Sequence, residues 1–264
     1  MQLSLTEIII LAIVQGLTEF LPVSSSGHLV IVAKFMAPSG GPQSLDISDL
    51  SIMLHAGTLV SILIVYFRRI TKLFAEDRQV VGRLAVATIP AVLVGLPLKK
   101  FADDSVLGNP LLAGCLLIVT GIILLVTILF RKGKMELGEI SYRQAFLIGL
   151  SQAVAILPGL SRSGATISTG LGLGLKPASA TTFSFLMAIP VIGGASLLEF
   201  VSLMREPELT TPVFHLIIGA SVSCCVGLAA LLWLIRWIER GKLQWFAAWC
   251  IPLGIVVVAW QLAS

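Results

Sequence analysis

Six apolar blocks, each about long enough to cross a bilayer, constrain this chain more than anything else in it. They fall near residues 50–67, 80–98, 110–130, 181–204, 213–236 and 244–262. A membrane-crossing helix needs roughly 20 mostly apolar residues. Only 12% of the 264 residues are charged, against about 25% in soluble domains, so a water-soluble surface is out of reach. Several blocks contain Pro or paired Gly (Pro90, Pro190, Gly193, Gly194), which membrane helices accept when neighbours satisfy the freed backbone groups. The expected fold class is an all-α polytopic membrane protein with six transmembrane helices.

Two further stretches are apolar but broken. Ile8–Phe20 runs into Leu-Pro-Val-Ser-Ser-Ser-Gly-His and resumes at Leu29–Phe35; Ala145–Leu157 runs into Pro-Gly-Leu-Ser-Arg-Ser-Gly-Ala-Thr and a Gly-rich stretch. Each half is too short to span alone, so residues 4–35 and 141–174 are expected to be re-entrant helical hairpins. Laid over one another without a gap, they match: Ser4 meets Ser141, Glu7 meets Gln144, Gln15 meets Gln152, and Ser24, Ser26 and Gly27 meet Ser161, Ser163 and Gly164. Ser4 with Glu7 and Ser141 with Gln144 read as capping boxes that start helices.

The single membrane domain 1–264 thus divides into repeat one (1–135, hairpin 4–35 plus three spans) and repeat two (136–264, hairpin 141–174 plus three spans). Three is odd, so the second repeat is expected upside down relative to the first, an inverted-topology repeat that brings two broken helices together near the midplane. Arg68, Arg69, Lys72, Arg78 and Arg83 share one expected face with Arg131, Lys132, Lys134, Arg143, Lys176, Arg236, Arg240 and Lys242. Lys34, Lys99, Lys100 and Arg205 fall on the other. The positive-inside rule puts the first set in the cytoplasm, with hairpin one and the C-terminus outward. The formal charge of +4 is accounted for by these loops, and nucleic acid is not an expected partner. No charged segment precedes the first apolar run, whose first positive residue is Lys34, so that run is expected to belong to the mature chain. Cys115, Cys224, Cys225 and Cys250 lie in apolar segments without metal-ligand spacing and read as packing residues. Glu199, near a span end, is expected to reach the interface.

Glu19, His28 and Arg162 are ionisable groups inside the hairpins, and such residues at membrane depth are functional candidates by default. On the overlay Glu19 faces Ile156, Ser25 faces Arg162 and His28 faces Ala165: the scaffold repeats, the chemistry does not, which points to one composite site. Gln15 and Glu19 are one helical turn apart and share a face, able to address one ligand or cation. Ser24, Ser25, Ser26 and Gly27, and Ser161, Arg162, Ser163 and Gly164, each precede an apolar helix. Free amides at a helix start bind anions, hydroxyls add donors, and a guanidinium fork suits phosphate oxygens. The competing reading of one such serine loop is a plain N-cap; two loops and a buried arginine favour the anion site. His28 is open to three readings: nucleophile, general acid or base, or satisfied buried histidine. His55 is a further near-site candidate, and His215 reads as structural.

Gln15-Gly-Leu-Thr-Glu19 leading to Ser24-Ser-Ser-Gly-His28, and Pro158-Gly-Leu-Ser-Arg-Ser-Gly-Ala-Thr166, together resemble the two signatures of the undecaprenyl-diphosphatase family, also called bacitracin-resistance proteins, over essentially the whole chain. The resemblance implies hydrolysis of undecaprenyl diphosphate to undecaprenyl phosphate and phosphate, at the outer face of a bacterial plasma membrane, recycling the lipid carrier for peptidoglycan synthesis and opposing bacitracin. It maps essential positions onto Glu19, Ser25, His28, Ser161, Arg162 and Thr166, with Gln15 where the family also has an acid. It implies a divalent cation, Mg²⁺ or Ca²⁺, with Glu19 as its candidate ligand. The expected partners are a polyprenyl diphosphate and bilayer lipids; homodimer formation stays open. In this reading Arg162, Ser161, Ser163 and Thr166 hold the diphosphate, and either Ser25 or His28 attacks while the other assists. A second class of lipid phosphatases, with Ser-Arg-x5-His motifs, is set aside because Ser168 stands where that histidine is required. The alternative function is a transporter or flippase of a polyprenyl phosphate, since inverted repeats with broken helices are common in transporters. A non-catalytic scaffold leaves Glu19, His28 and Arg162 unexplained.

Overall fold

The computed structural model describes residues 3–36, 48–101, 104–130, 133–203 and 211–263. Arg131, Lys132 and Arg205 lie outside that set, as do the side chains of Lys99, Lys100 and Glu199. The helices are α1 (Leu5–Phe20), α2 (Ser25–Met36), α3 (Ser48–Ala75), α4 (Arg78–Phe101), α5 (Asp104–Leu107), α6 (Pro110–Val126), α7 (Tyr142–Val154), α8 (Arg162–Gly172), α9 (Pro177–Leu203), α10 (Val213–Glu239) and α11 (Ala247–Ala263). Among the described residues the only extended pairing is a single bridge between Met135 and Leu175.

Six segments are long and apolar enough to cross a membrane: Leu50–Ala75, Arg78–Leu98, Pro110–Phe130, Pro177–Leu198, Val213–Glu239 and Leu243–Ala263. They coincide with the six blocks read from the sequence. One boundary differs. Helix α3 runs on to Ala75, so Arg68, Arg69 and Lys72 ride on its last turns rather than in a loop, and the turn to α4 is only Glu76–Asp77. The apolar block stops at the first charge, but helical hydrogen bonding does not, because Arg and Lys are good helix formers and cations suit a helix C-terminus. Arg69 and Lys72 pair there with Asp77 at 3.0 Å and Glu76 at 3.3 Å.

Helices α1, α2, α7 and α8 have 16, 12, 13 and 11 residues, short of the roughly 20 a span needs. Both expected capping boxes are present. Glu7 N–H donates to Ser4 Oγ (3.3 Å) and Ser4 N–H to Glu7 Oε2 (2.7 Å); Gln144 and Ser141 repeat the exchange at 3.2 and 2.9 Å.

Helix α1 lies along α10, α7 along α4 and α6 along α11, while α3 packs on both α10 and α9. The contacts are made at small residues, as membrane helix packing requires. At Gly149 of α7 a Cβ would stand 2.2 Å from the carbonyl oxygen of Ala87 on α4. Phe20, fully buried at the end of α1, meets Phe185 of α9 edge-on with ring centroids 5.7 Å apart, which locks the position of its neighbour Glu19. The four cysteines are free. On the basic side, Arg83 donates to the Gly138 carbonyl (2.7 Å), and Lys176 and Ser179 both bond Glu136, whose carboxyl Lys176 holds below the usual range.

Candidate active site

Both breaks are built by serine at the foot of the second short helix. Ser161 caps α8, its Oγ accepting from Gly164 N–H at 3.0 Å. Ser24 does the same for α2, accepting from Gly27 N–H at 3.3 Å. Ser24 also has φ 70°, a left-handed conformation uncommon for any residue but glycine. It is held there by one long-range contact and one local one. Its Oγ accepts from Gly159 N–H in the other break (3.1 Å), and its carbonyl accepts from His28 Nδ1–H (2.8 Å). The second break is pinned by Thr120 of α6, which accepts from Ser161 N–H (3.0 Å) and donates to the Gly159 carbonyl (2.8 Å). The breaks meet at Gly27, where a Cβ would be 2.9 Å from Gly159 Cα. Ser163 adds a bond to the Leu21 carbonyl at 3.3 Å.

This docking brings half-one chemistry onto half-two chemistry. Arg162, the first residue of α8, donates from Nη2 to Glu19 Oε1 at 2.7 Å. Ser25, the first residue of α2, donates to Glu19 Oε2 at 2.7 Å, and Gln15 Nε2 donates to the same oxygen at 3.1 Å. His55 Nε2 lies 3.7 Å from it. Glu19 is 8% exposed, and removing one partner from a buried pair would leave an uncompensated charge. Beside this cluster is a cavity of about 250 Å³ whose polar wall includes Glu19, Ser24, Ser25, Ser26, Ser161 and Arg162. Pockets enclosing whole drug-sized ligands run to ~300–1,000 Å³, so this one has room for a small polar group and not for a long chain. The first amides of α2 and α8 lack intrahelical acceptors, as in every helix, although Gly27 and Gly164 N–H are taken by the serine caps.

Of the residues singled out by sequence, Glu19, Ser24, Ser25, Ser26, Ser161 and Arg162 line the cavity, and Gln15 stands behind them on Glu19. The others serve the walls. Thr166 Oγ1 bonds the Arg162 carbonyl (2.8 Å) and Ser184 of α9 (2.6 Å); Ser163, Gly164 and Gly27 stitch the breaks. His28 stands outside the cavity: its Nδ1–H is spent on Ser24, and its Nε2 accepts from Trp249 Nε1–H of α11 at 2.9 Å. His55 is the histidine on the cavity wall, its Nδ1 turned to the Ser51 carbonyl at 2.7 Å. Ser51, Gln152 and Ser196 also line it and were not picked out from the sequence as site residues. The available signals were Ser51 and His55 one turn apart in an apolar helix, and Gln152 in register with Gln15.

Among the described residues no group of three or more His, Cys, Asp or Glu side chains comes together, and Glu19 is the one carboxylate lining the cavity. That donor set, with the unpartnered Gln15 Oε1, fits a Mg²⁺-type cation, which keeps several waters and binds through one or two carboxylates plus substrate phosphates.

The sequence of an undecaprenyl-diphosphatase from Rhodopirellula baltica is 47% identical over 259 residues, covering 98% of each chain. Proteins of the same name from Bacteroides thetaiotaomicron and Christiangramia forsetii are each 36% identical, covering 98% and 97% of this chain and 100% and 98% of their own. Residues 8–256 match the family model described as bacitracin resistance protein BacA. The match takes in the second broken helix pair, all but the first turn of the first, and most of the sixth apolar helix, and the chain belongs to the BacA family of bacitracin resistance proteins.

Proposed function

We propose that this multi-pass membrane protein hydrolyses undecaprenyl diphosphate to undecaprenyl phosphate and inorganic phosphate, recycling the lipid carrier for cell-wall synthesis and opposing bacitracin. The observation that carries the reading is the convergence of Arg162, Ser25 and Glu19 on one head-group-sized cavity, together with relatives named for this reaction.

In this mechanism the Arg162 fork and the first-turn amides of α2 and α8 bind the diphosphate. Ser25 Oγ attacks the terminal phosphorus and passes its proton to Glu19, to which it is already hydrogen-bonded. The anhydride P–O bond breaks, undecaprenyl phosphate leaves, and water then hydrolyses the phosphoserine. Ser25 rather than His28 takes the attacking role because both His28 ring nitrogens are engaged away from the cavity. A divalent cation, held by Glu19 and Gln15 with the substrate's own oxygens, would supply charge neutralisation. Phosphoryl transfer is chiefly positioning and charge neutralisation.

The same reading has the two short helix pairs entering the membrane from opposite faces as halves of an inverted repeat. Support comes from the exchanged packing, α1 on α10 of the other half and α7 on α4. It also has the site opening outward in a bacterial plasma membrane. Ser51 and His55 lie roughly 20–30 Å along α3 from the Arg68–Lys72 cations, at 1.5 Å per residue, and the positive-inside rule makes the cationic end cytoplasmic.

The test is phosphate release from undecaprenyl diphosphate by purified protein in detergent, with and without EDTA. Transport needs two compartments and hydrolysis does not, so release in detergent establishes an enzyme. No release with Mg²⁺ or Ca²⁺ present would overturn the reading.

A further inference from the structure

Gln152 is 1% exposed, lines the cavity, and has no hydrogen-bond partner among the described residues for either amide atom. Its counterpart Gln15 is equally buried, but donates to Glu19 one turn further on. One turn beyond Gln152 stands Ile156, also on the cavity wall, which has nothing to accept with. An amide donor is therefore built into the second half at a place where the protein supplies no acceptor. Such a buried group is costly to leave unmade. A second orphan donor belongs to the same cavity residues: Nη1 of Arg162, buried and unpartnered while Nη2 holds Glu19. A neutral amide and half of a guanidinium call for an oxyanion that brings its own acceptors.

We propose that Gln152 is a ligand-binding residue of this site, its Nε2–H donating to an oxygen of the bound phosphate group where, in the other half, Glu19 accepts from Gln15. The naming of that group as the substrate diphosphate rests on the diphosphatase reading; the oxyanion class rests on the donors alone. The pseudo-symmetric scaffold then has a chemical consequence. One half's glutamine is satisfied within the protein and braces the carboxylate, while the other half's is left open for the ligand.

The experiment uses Gln152→Met, which keeps the side-chain length and removes both polar atoms, and Gln152→Glu, which places a carboxyl group against the anion. Inorganic pyrophosphate is the probe, read by thermal stabilisation of the purified protein, with phosphate release measured alongside. Parent protein is stabilised by pyrophosphate. Gln152→Met unfolds at the same or a higher temperature without ligand, because an unmade buried amide is gone. It binds pyrophosphate about tenfold more weakly, the loss of one hydrogen bond to a charged acceptor, and raises KM more than it lowers kcat. Gln152→Glu binds more weakly still. Pyrophosphate affinity unchanged within about twofold in a stable Gln152→Met would overturn the proposal. So would a marked loss of stability in that variant, which would mean the amide is bonded inside the fold, or a parent protein that pyrophosphate does not stabilise. If the parent binds pyrophosphate and Gln152→Met does so less, but the parent releases no phosphate from the lipid, the oxyanion role stands and the diphosphatase reading fails.

Discussion

Arg162 and Glu19, 143 residues apart in the chain, are joined across the two helix breaks by a 2.7 Å bond from Nη2 to Oε1. The pair does two jobs. It balances a carboxylate at 8% exposure, and it leaves the other guanidinium nitrogen unpaired at the cavity. Arg162→Ala is expected to lower kcat/KM by about 10³-fold, the scale for losing a preorganised donor to a transferring phosphoryl group. Arg162→Lys retains charge but not the fork and should fall between. Phosphate release by detergent-purified variants, with chromatographic homogeneity as the folding control, checks both. Arg162→Ala at near-parent activity would remove the clamp from the mechanism.

Ser25 is bonded to Glu19 and His28 is not, so a trapped phosphoenzyme should carry its phosphate on Ser25. Rapid acid quenching followed by peptide mass spectrometry is the measurement. Phosphate found on a His28 peptide would reverse the assignment. Glu19→Gln keeps the hydrogen-bonding shape but cannot take the proton, and is expected to slow phosphoenzyme formation by about 10²–10⁴-fold, the usual worth of a general base.

His28 and Trp249 form a brace rather than a reactive pair. Trp249 donates to His28, which donates to the carbonyl of the left-handed Ser24, and Ser25 follows directly. Trp249→Phe removes one donor and should cost about 1 kcal/mol of stability, with a modest fall in kcat as Ser25 loses its fixed aim. His28→Ala removes both bonds of the brace and should be worse on both measures. Denaturation midpoints and phosphate release of the two variants decide it: a His28→Ala protein with parent-like midpoint and turnover would break the link between His28 and the turn.

The spans and the capped starts of α1 and α7 were readable because each signal is local. Apolar length is a property of one segment, and Ser4 with Glu7 or Ser141 with Gln144 lie three residues apart. The convergence of Glu19 with Arg162 was readable too, because the repeat overlay set an acid against an apolar residue and a serine against the arginine. What spacing could not supply is the far partner. Three residues from Ser25, His28 has every local reason to face the same cavity; Trp249, 221 residues away, takes its Nε2 instead. His55 shows the converse, a histidine remote from both motifs that α3 delivers to within 3.7 Å of Glu19. Replacing it with Phe, similar in volume but without Nε2, is expected to lower kcat/KM about tenfold with little change in stability, as phosphate release and thermal unfolding would show.

The site depends on helix approach as much as on its polar groups. Helix α7 carries Gln152 at its end, and its distance from α4 is set by Gly149, where a Cβ would sit 2.2 Å from the Ala87 carbonyl oxygen. That neighbour is backbone and cannot swing aside as a side-chain tip could. Gly149→Val must therefore push α7 away from α4 along its whole length, and overpacking of this kind costs about 1–3 kcal/mol or more. The break after α7 carries Ser161 and Arg162, so the displacement should also carry Nη2 of Arg162 out of reach of Glu19. The expected result is lower stability and an activity loss approaching that of Arg162→Ala, although Gly149 touches no ligand. Ala87→Gly, which leaves the offending carbonyl in place, should not rescue it. A Gly149→Val protein with parent-like unfolding and turnover would show that the α4–α7 contact does not position the arginine.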